Sequence, residues 1–400
     1  MLNQFWENST IMRIFLLSPY HSGSHKAWAE GVQKHSNHHV EIFSLPGQLW
    51  KWRMHGSAVT LAKQVLEQDT IPDLVITDDM LDLATFAALT RRRLAGVPLA
   101  LYMHENQLLY PLPQDKKKGP MRRNWGVRER QYVLINWKSM LAADKIFFNS
   151  RFHLEALFAE LPVFLRHYPD HNEEETVELL RQKSAVLPVG IDFADVHRQS
   201  RDVALKHEAR NPGFDSAANL VPTILWNQRW EFDKNPAEFF ATLRQFKAEG
   251  GVFNLIVCGE SFQKTPEAFE QAEAEFKNEI IHFGFASKER YQELLGLSDI
   301  VISTAHHEFF GISILEAIHA GAIPLLPKRL SYPELIPAEY HAAVLYNNRY
   351  DLISKLHQVT AQINSSKTNS PDMQSIAKPY SWTHIIGQYD QEFEVLTHIN

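Results

Sequence analysis

The sequence has 400 residues, of which 44% are hydrophobic and 22% are charged, a composition typical of a folded globular protein. A chain of this length exceeds one ordinary hydrophobic core, so we expect two domains. The single cysteine, Cys258, excludes an intrachain disulfide and a zinc site built from cysteines. No apolar run approaches the ~18 residues of a membrane span. These features predict a cytoplasmic protein without a membrane segment.

Charge is unevenly distributed along the chain. The formal net charge of −7 argues against a protein dominated by nucleic-acid contacts. Residues 110–138 nevertheless contain eight basic and two acidic side chains, with aromatic residues between them. This basic segment fits two interpretations. It is a solvated loop followed by an amphipathic helix, or a surface that contacts RNA phosphates and stacks on unpaired bases.

The first half of the chain predicts a mostly parallel sheet flanked by helices. Apolar runs predict strands at 13–18, 40–44, 73–77, 99–103 and 145–149, and at 186–192 a strand that runs into a Pro/Gly turn. Helical patterns begin at 26 and occupy 57–67, 82–94 and 126–142. Ligands of such sheets bind beyond the carboxyl ends of the strands, where we expect His25 and His104. We expect residues 1–11 to be a disordered extension and residues 12–190 to form a Rossmann-like domain.

The second half repeats the alternation and predicts another Rossmann-like domain over 191–379. Its strands are predicted at 223–226, 254–258, 280–284, 299–303 and 322–326. From about Ser381 the pattern becomes one helix, which defines a terminal segment at 380–400. Trp382, Ile385, Tyr389 and Phe393 form its apolar side.

Residues 300–317 contain the most informative pattern. A short apolar strand ends at Ser303, and Gly311 precedes a helix. The helix is expected to bury Ile312, Leu315, Ala317, Ile318 and Ala320. A helix start after a glycine suits a diphosphate, and Glu308 and Glu316 on either side suit sugar hydroxyls. The alternative is a plain β-α unit with two solvated acids.

These features together resemble the retaining, family-4-like glycosyltransferases of the GT-B architecture. Glu308 and Glu316 match the two glutamates that this family separates by seven residues, and Arg229 and Lys234 match its diphosphate-binding Arg/Lys pair. The terminal helix with Trp382 matches the segment that returns to the first domain. The resemblance implies an α/β fold with two facing Rossmann-like domains and a C-terminal helix crossing back to the first.

The same resemblance implies a role for individual residues. His104 and Glu308 are expected to act in catalysis at the donor sugar, and Arg229 and Lys234 to stabilise the departing diphosphate without a metal or other cofactor. The expected donor-binding residues are Gly23, Ser24, His25, Arg229, Lys234, Glu260, Gly311, Ile312 and Glu316. For Arg229 and Lys234 the alternative is a surface pair, and for the histidines it is a core position.

A second set of motifs resembles the tRNA-queuosine α-mannosyltransferases. They are Gly23-Ser24-His25-Lys26, Trp50-Lys51-Trp52-Arg53, His104-Glu105-Asn106-Gln107 and His307-Glu308-Phe309-Phe310-Gly311. The resemblance implies transfer of mannose from GDP-mannose to queuosine in tRNA-Asp. Ser22 departs from it, because a second glycine is usual there.

The expected tRNA-binding residues are Lys51, Arg53, Lys116, Lys117, Lys118, Arg122, Arg123, Arg128 and Arg130. Two rival functions stay open at this point. One is a glycosyltransferase that uses another nucleotide sugar on a lipid or polysaccharide acceptor. The other is a catalytically inactive tRNA-binding module. The sequence leaves open the donor, the acceptor, the anomeric outcome, the oligomeric state and whether residues 1–11 are translated.

Overall fold

The computed structural model describes residues 11–110, 127–193, 221–259, 267–364 and 373–398, with the side chains of 127–129 left out. The chain divides into two compact units. Unit 1 comprises Met1–Ile191 and Trp382–Asn400, and unit 2 comprises Asp192–Ser381. The predicted extension at 1–11 and the loop at 110–125, the first part of the basic segment, fall almost entirely outside the described residues.

Unit 1 is built on a parallel sheet. Over the described part of the chain its strands are β1 (Arg13–His21), β2 (His39–Pro46), β3 (Leu74–Asp78), β4 (Leu99–Met103), β5 (Lys145–Phe148) and β6 (Ser184–Val186), in the order β2-β1-β3-β4-β5-β6. The helices are α1 (Gly23–His35), α2 (Trp50–Leu66), α3 (Leu83–Thr90), α4 (Val127–Ala142), α5 (Arg151–Leu165) and α6 (Thr176–Gln182). The direction of strand addition reverses between β1 and β3, which creates a crevice at their carboxyl ends.

Unit 2 contains a second parallel sheet. Its described strands are β7 (Thr223–Trp226), β8 (Asn254–Cys258), β9 (Ile280–Gly284), β10 (Ile300–Ile302), β11 (Ile323–Pro327) and β12 (Leu345–Tyr346), in the order β12-β11-β10-β7-β8-β9. The helices are α7 (Pro236–Ala248), α8 (Glu267–Glu275), α9 (Lys288–Leu297), α10 (Ile312–His319), α11 (Tyr332–Leu335), α12 (His341–Val344), α13 (Arg349–Asn364) and α14 (Gln374–Ala377). This order is that of the classical dinucleotide-binding sheet, with its reversal between β7 and β10.

The last helix, α15 (Trp382–His398), packs on unit 1. The indole of Trp382 occupies space that a side chain at Gly31 or Gly190 would fill, since a Cβ on either glycine would lie 2.2 Å from it. Tyr389 is fully buried, accepts a hydrogen bond from Trp28 Nε1 at 3.2 Å and donates one to the Pro188 carbonyl at 2.9 Å. The apolar side predicted for this helix is therefore confirmed as its buried side.

The fold class predicted from the sequence is confirmed: both units are α/β with parallel sheets covered by helices. The strands inside each sheet are largely apolar because both of their faces are buried. Residues 14–17 of β1 and 300–302 of β10, for example, have no exposed surface. Across the described ranges, no helix is long and apolar enough to cross a bilayer.

Several predicted boundaries are wrong in instructive ways. The strand expected at 186–192 is β6, which ends at Val186, because Pro188 lacks the N–H that would continue the ladder. Helix α2 begins seven residues earlier than 57, so the motif Trp50–Arg53 is helical. Helix α1 begins at Gly23, three residues before the predicted start at 26, and α3 ends at Thr90, four residues before the predicted end at 94. In α10, Ile314 is buried and Ile312 only partly.

Candidate active site

The candidate site in unit 2 lies where β7 and β10 end side by side. These two strands are parallel neighbours at the point of reversal of the sheet. The segments that leave them, 227–235 and 303–311, therefore meet at one edge. This is the position at which open α/β sheets bind ligands. The residues predicted in both segments are brought together here.

Lys234 is the cation at the centre of this edge. Its side chain is 7% exposed, and its ammonium donates to the His307 carbonyl at 2.8 Å and to Glu308 Oε2 at 3.2 Å. Asp233 Oδ2 lies 3.5 Å away. Thr304 Oγ1 donates to the Lys234 carbonyl at 3.0 Å, which ties the two segments to each other. Lys234 therefore has a fixed position before any ligand arrives.

The carboxylate of Glu308 is kept ionised by this contact. Burial alone raises the pKa of a carboxyl group, but the Lys234 ammonium more than offsets it and holds the pKa of Glu308 below its usual value. One carboxylate oxygen also accepts the Phe310 N–H at 3.4 Å. Glu308 is thus a hydrogen-bond acceptor at neutral pH, which is what sugar hydroxyls require.

Gly311 makes the turn from this segment into α10. Its φ of +113° lies in a region that residues with a side chain rarely adopt, and an added Cβ would lie 3.1 Å from Leu335 Cδ1. Ser331 Oγ donates to the Phe310 carbonyl at 2.8 Å and fixes the turn from the other side. The N-terminus of α10, beginning at Ile312, is therefore placed directly after Glu308 and offers N–H groups to an anion.

Glu316 is held by a separate set of hydrogen bonds. The Tyr291 hydroxyl donates to Glu316 Oε2 at 2.8 Å, and Asn227 Nδ2 donates to Tyr291 at 3.0 Å and to the Ser313 carbonyl at 2.7 Å. Burial raises the pKa of Glu316 to about 7, although the bond from Tyr291 opposes that rise. The alternative of a solvated Glu316 on an exposed helix face is wrong.

Arg229 belongs to the same group as Lys234. Its guanidinium is partly exposed and lies 3.7 Å from Glu231 Oε2. Burial, Lys234 and Arg229 all favour the neutral imidazole of His307 and lower its pKa to about 4, against the opposing effect of nearby carboxylates. Arg229 and Lys234 therefore both bring positive charge to this edge of the sheet, and of these two side chains only Lys234 is buried.

A small open pocket adjoins Glu316 at the ends of β8 and β9. Its volume is about 130 Å³, and its lining residues are Asn227, Cys258, Gly259, Phe285, Ala286 and Tyr291. Phe285 is 71% exposed there. Burial raises the pKa of Cys258 to about 12, so its thiol is neutral and acts as a small apolar wall. Glu260, predicted to bind the donor, lies outside the described residues.

The candidate residues of unit 1 also sit at a strand reversal. His25, in the first turn of α1, and His104, directly after β4, have ring centroids 4.5 Å apart, and both are nearly buried. Gly23 and Ser24 precede His25 in the same turn, and Gly23 has φ +51°. His104 also contacts the rings of Trp28 and Tyr102, at 5.0 and 4.7 Å between centroids.

The two histidines differ in protonation. Burial alone favours neutral imidazole, but the Asp78 carboxylate, 3.0 Å from His25 Nδ1, raises the pKa of His25 to about 9. Burial and the positive charge of His25 hold the pKa of His104 well below its usual value. At neutral pH unit 1 therefore presents an imidazolium beside a neutral imidazole, and the Nε2 of His104 is buried without a hydrogen-bond partner among the described residues.

Sequence reasoning missed the acids behind these histidines. Asp79 Oδ1 accepts the N–H groups of His104 at 2.7 Å and Glu105 at 3.3 Å, while its Oδ2 is buried and has no partner in the described part of the chain. Burial raises the pKa of Asp79 well above its usual value. The signal was present, because Asp78-Asp79 follows a buried strand at its carboxyl end.

The predicted tRNA-binding residues are only partly described. Lys51 and Arg53 lie in the first turn of α2, and Arg130 lies on α4. The others fall outside the described residues or, for Arg128, have an undescribed side chain: Lys116, Lys117, Lys118, Arg122, Arg123 and Arg128. Tyr132 is buried, and Trp137 donates to Thr176 Oγ1 at 3.2 Å. Tyr132 is buried and Trp137 is half-buried against the core of unit 1, which supports, for these two residues, the alternative of an amphipathic helix whose aromatic side chains pack on the core.

Among the described residues, no group of three or more His, Cys, Asp or Glu side chains is arranged to hold a metal ion. At the edge of the unit 2 sheet, the described residues offer the cations Arg229 and Lys234, a helix N-terminus and two glutamates. Such a set suits a nucleotide sugar, whose diphosphate needs positive charge and whose hydroxyls need carboxylate acceptors.

Comparison with known proteins identifies the class. Residues 217–362 match the family described as "Glycosyl transferases group 1". The catalytic domain of starch synthase IV from Arabidopsis thaliana superimposes with a TM-score of 0.70 at 12% identity, covering 98% of this chain and 100% of that one. At that identity the likeness concerns the fold. The chain is a glycosyltransferase with the two Rossmann-like domains of the GT-B fold.

The family within that class follows from closer relatives. Residues 13–191 match the family described as "tRNA-queuosine alpha-mannosyltransferase N-terminal". A tRNA-queuosine alpha-mannosyltransferase from Drosophila melanogaster is 34% identical over 347 residues, 86% of each chain. The chain belongs to the tRNA-queuosine alpha-mannosyltransferase family. A GDP-mannose:cellobiosyl-diphosphopolyprenol alpha-mannosyltransferase from Xanthomonas oryzae is 23% identical over 207 residues, 50% of this chain and 54% of that protein.

Proposed function

We propose that this glycosyltransferase transfers mannose from GDP-mannose to queuosine in tRNA-Asp, with retention of the anomeric configuration. The observation that carries the proposal is the buried contact of Lys234 with Glu308 directly before the N-terminus of α10. A cation, a helix start and an ionised acid within one short segment fit the junction between the diphosphate and the sugar of a nucleotide sugar.

The donor would lie along the edge of the unit 2 sheet. Lys234, Arg229 and the N–H groups at Gly311 and Ile312 would face the diphosphate, and Glu308 would accept hydrogen bonds from the mannose hydroxyls. Glu316 would accept those of the ribose. The base would enter the pocket beside Glu316, where the exposed ring of Phe285 offers a stacking surface. Guanine as the base is supported by the Xanthomonas oryzae relative, whose name gives GDP-mannose as its donor.

In the proposed reaction, a queuosine hydroxyl oxygen bonds to the anomeric carbon of mannose on the face that the diphosphate leaves. The bond from that carbon to the diphosphate oxygen breaks, and this oxygen takes the hydroxyl proton. Arg229 and Lys234 stabilise the negative charge that develops on the diphosphate, which is a role that needs no metal ion. His104 would contact the donor sugar and stabilise positive charge at its ring.

The test is an assay with the full chain. Incubation with GDP-mannose and queuosine-containing tRNA-Asp is expected to add one hexose to queuosine, seen by mass spectrometry of the nucleosides. The same tRNA without queuosine is the matched acceptor control. Glu308→Gln is expected to fold and to lose at least about 100-fold in turnover, because an amide cannot replace the charge. EDTA is expected to leave the rate unchanged.

Two results would contradict the proposal. Hexose transfer to a polyprenol-linked sugar, with none to tRNA, would favour the lipid-acceptor alternative that the Xanthomonas oryzae relative represents. If the chain binds tRNA but binds no nucleotide sugar, the alternative of an inactive tRNA-binding module is favoured. A thermal-shift series with GDP-, UDP- and ADP-sugars separates these cases, since only a bound donor raises the unfolding temperature. We also propose that the protein acts in the cytoplasm, because its proposed acceptor is a tRNA.

A further inference from the structure

The start of α2 presents an exposed aromatic and basic surface. We define the tryptophan surface as residues 49–53, which are Leu49, Trp50, Lys51, Trp52 and Arg53. Trp52 is 63% exposed. Lys51 is exposed, and its ammonium lies 5.5 Å from the centroid of the Trp50 ring. A tryptophan buries more apolar area than any other side chain, so leaving one in water forgoes stabilisation and calls for an explanation.

The ring of Trp52 is held against its own helix. A Cβ on Gly56, one turn further along, would lie 2.7 Å from Cε2 and Cζ2 of the indole. The ring therefore occupies the space that any other residue at position 56 would fill. Because Gly56 supports the indole while most of its surface stays open, Trp52 has a defined position, and none of the described residues covers its outer side.

The rest of the tryptophan surface is also fixed to unit 1. Met54 is fully buried in a small cluster with Met80, Tyr132 and Ile135. The Trp50 ring lies 5.2 Å from that of Tyr132, and Arg53 Nε donates to the Pro46 carbonyl at 3.1 Å. The exposed side chains thus stand on a packed helix.

The tryptophan surface lies at the edge of the sheet that carries the candidate histidines. Helix α2 begins just after the carboxyl end of β2, and the carboxyl ends of parallel strands share one edge. Met80, which packs on Met54 beneath this surface, directly follows Asp79, whose carboxylate holds the backbone of His104. His104 and the start of α2 therefore lie at the same edge of the unit 1 sheet.

We propose that the tryptophan surface binds the single-stranded loop of the RNA acceptor, with an unpaired base stacked on Trp52 and phosphates contacted by Lys51 and Arg53. The inference rests on the proposed function, which makes tRNA the acceptor. An exposed indole between two cations matches the chemistry of a looped RNA strand, which presents flat bases and a charged backbone. A duplex would not use Trp52, because its bases are already stacked.

The test measures binding of a labelled queuosine-containing anticodon stem-loop to the full chain. Trp52→Ala is expected to weaken binding about tenfold, as expected for loss of one stacked base, and Trp52→Phe to restore part of it. GDP-mannose binding by thermal shift is expected to stay unchanged in both variants. Tyr350→Ala is the matched control, because Tyr350 is an exposed aromatic residue of unit 2.

Two further variants separate stacking from charge and from misfolding. Lys51→Gln is expected to reduce the slope of log affinity against log salt by about 0.7, the value for one phosphate contact on a single strand, whereas Trp52→Ala is expected to leave that slope unchanged. Gly56→Ala is expected to weaken RNA binding by displacing the indole without lowering the unfolding temperature, since alanine favours the helix.

The outcomes distinguish this inference from the proposed function. If the wild-type chain does not bind the stem-loop, the proposed function itself fails. If the wild type binds and Trp52→Ala binds equally well, the stacking inference is overturned while the function stands. A change from dimer to monomer in Trp52→Ala, with unaltered RNA affinity, would assign the surface to a second copy of the chain and would also overturn it.

Discussion

At the scale of single residues, the site of unit 2 is arranged around charges that are fixed in advance. Lys234 has almost no exposed surface, and its ammonium is held by a carbonyl as well as by Glu308. A preorganised cation stabilises developing negative charge better than a mobile one, because no solvent or side chain must reorganise during the reaction. The two glutamates, in contrast, differ in charge state, since the pKa of Glu308 is lowered and that of Glu316 is raised.

The raised pKa of Glu316 predicts a stability that falls with pH. Its folded-state pKa of about 7 exceeds its ordinary value of 4.5, so the native state binds the proton more tightly. The contribution is therefore complete below pH 4.5 and is lost as the pH rises to about 7. At ~1.4 kcal/mol per pKa unit it amounts to at most about 3 kcal/mol.

The measurement for Glu316 is urea unfolding between pH 4.5 and 8. Glu316→Gln is expected to remove this part of the pH dependence, because the amide does not titrate. Tyr291→Phe serves as a companion variant, since it deletes the hydroxyl that donates to Glu316 and leaves the carboxyl in place. Identical pH profiles for wild type and Glu316→Gln would show that Glu316 has an ordinary pKa.

The residues of the site were predictable in unequal measure. Glu308 and Gly311 stand at a strand-to-helix junction, and both position and residue type indicated a ligand site there. Asp78 and Asp79 were missed because two acids after a strand look the same in sequence whether they are solvated or buried. Only the fold shows that Asp79 faces the backbone of His104.

At the scale of elements, the turn at Gly311 decides how α10 approaches its ligand. The helix can begin where it does because the chain enters it with φ +113°, a conformation available to glycine. The strand before it and the apolar face after it were predictable from hydrophobic periodicity. Four of the five positions predicted to be buried are buried, and the difference is confined to the first turn, where Ile314 is buried and Ile312 only partly. Periodicity alone does not fix which residues of a first turn are covered.

Gly311→Ala is expected to cost about 1–2 kcal/mol in stability, through backbone strain and contact with Leu335. It is also expected to abolish the thermal shift by GDP-mannose, since the N–H groups of α10 would be turned away from the diphosphate. Differential scanning fluorimetry with and without donor measures both effects. Gly96→Ala is the matched control, a glycine with φ +79° in unit 1 and open space around it. An unaltered donor shift in Gly311→Ala would remove this turn from the binding site.

At the scale of the whole molecule, two Rossmann-like units of different strand order share one chain. Their existence was predictable from the alternation of strands and helices. The strand order could not be predicted, because it depends on which edge of the growing sheet receives the strand that follows each helix. The return of α15 to unit 1 was implied by family resemblance, and its apolar side chains account for it physically: Trp382, Tyr389 and Phe393 are buried in that unit.

Unit 1 is expected to fold as a separate domain if both of its parts are present. Residues 11–191 joined by a short glycine-serine linker to 382–398 are expected to give a cooperative unfolding transition, because Trp382 N–H donates to the Ile191 carbonyl at 3.1 Å and the two ends are adjacent. Residues 11–191 alone are expected to be aggregation-prone, since removing α15 uncovers Trp28 and Tyr102. Circular dichroism during heating compares the two proteins. Equal stability would show that α15 is dispensable for unit 1.

The same adjacency of Ile191 and Trp382 has a consequence for biosynthesis. Unit 2 is an insertion into unit 1, so the ribosome releases most of unit 1 first and its completing helix last. During the synthesis of about 190 residues, the groove that will receive Trp382 stays uncovered. In the nascent chain unit 1 therefore stays incomplete until residues 382–398 have been synthesised. A premature stop shortly before codon 382 would damage unit 1, which is made first, more than unit 2.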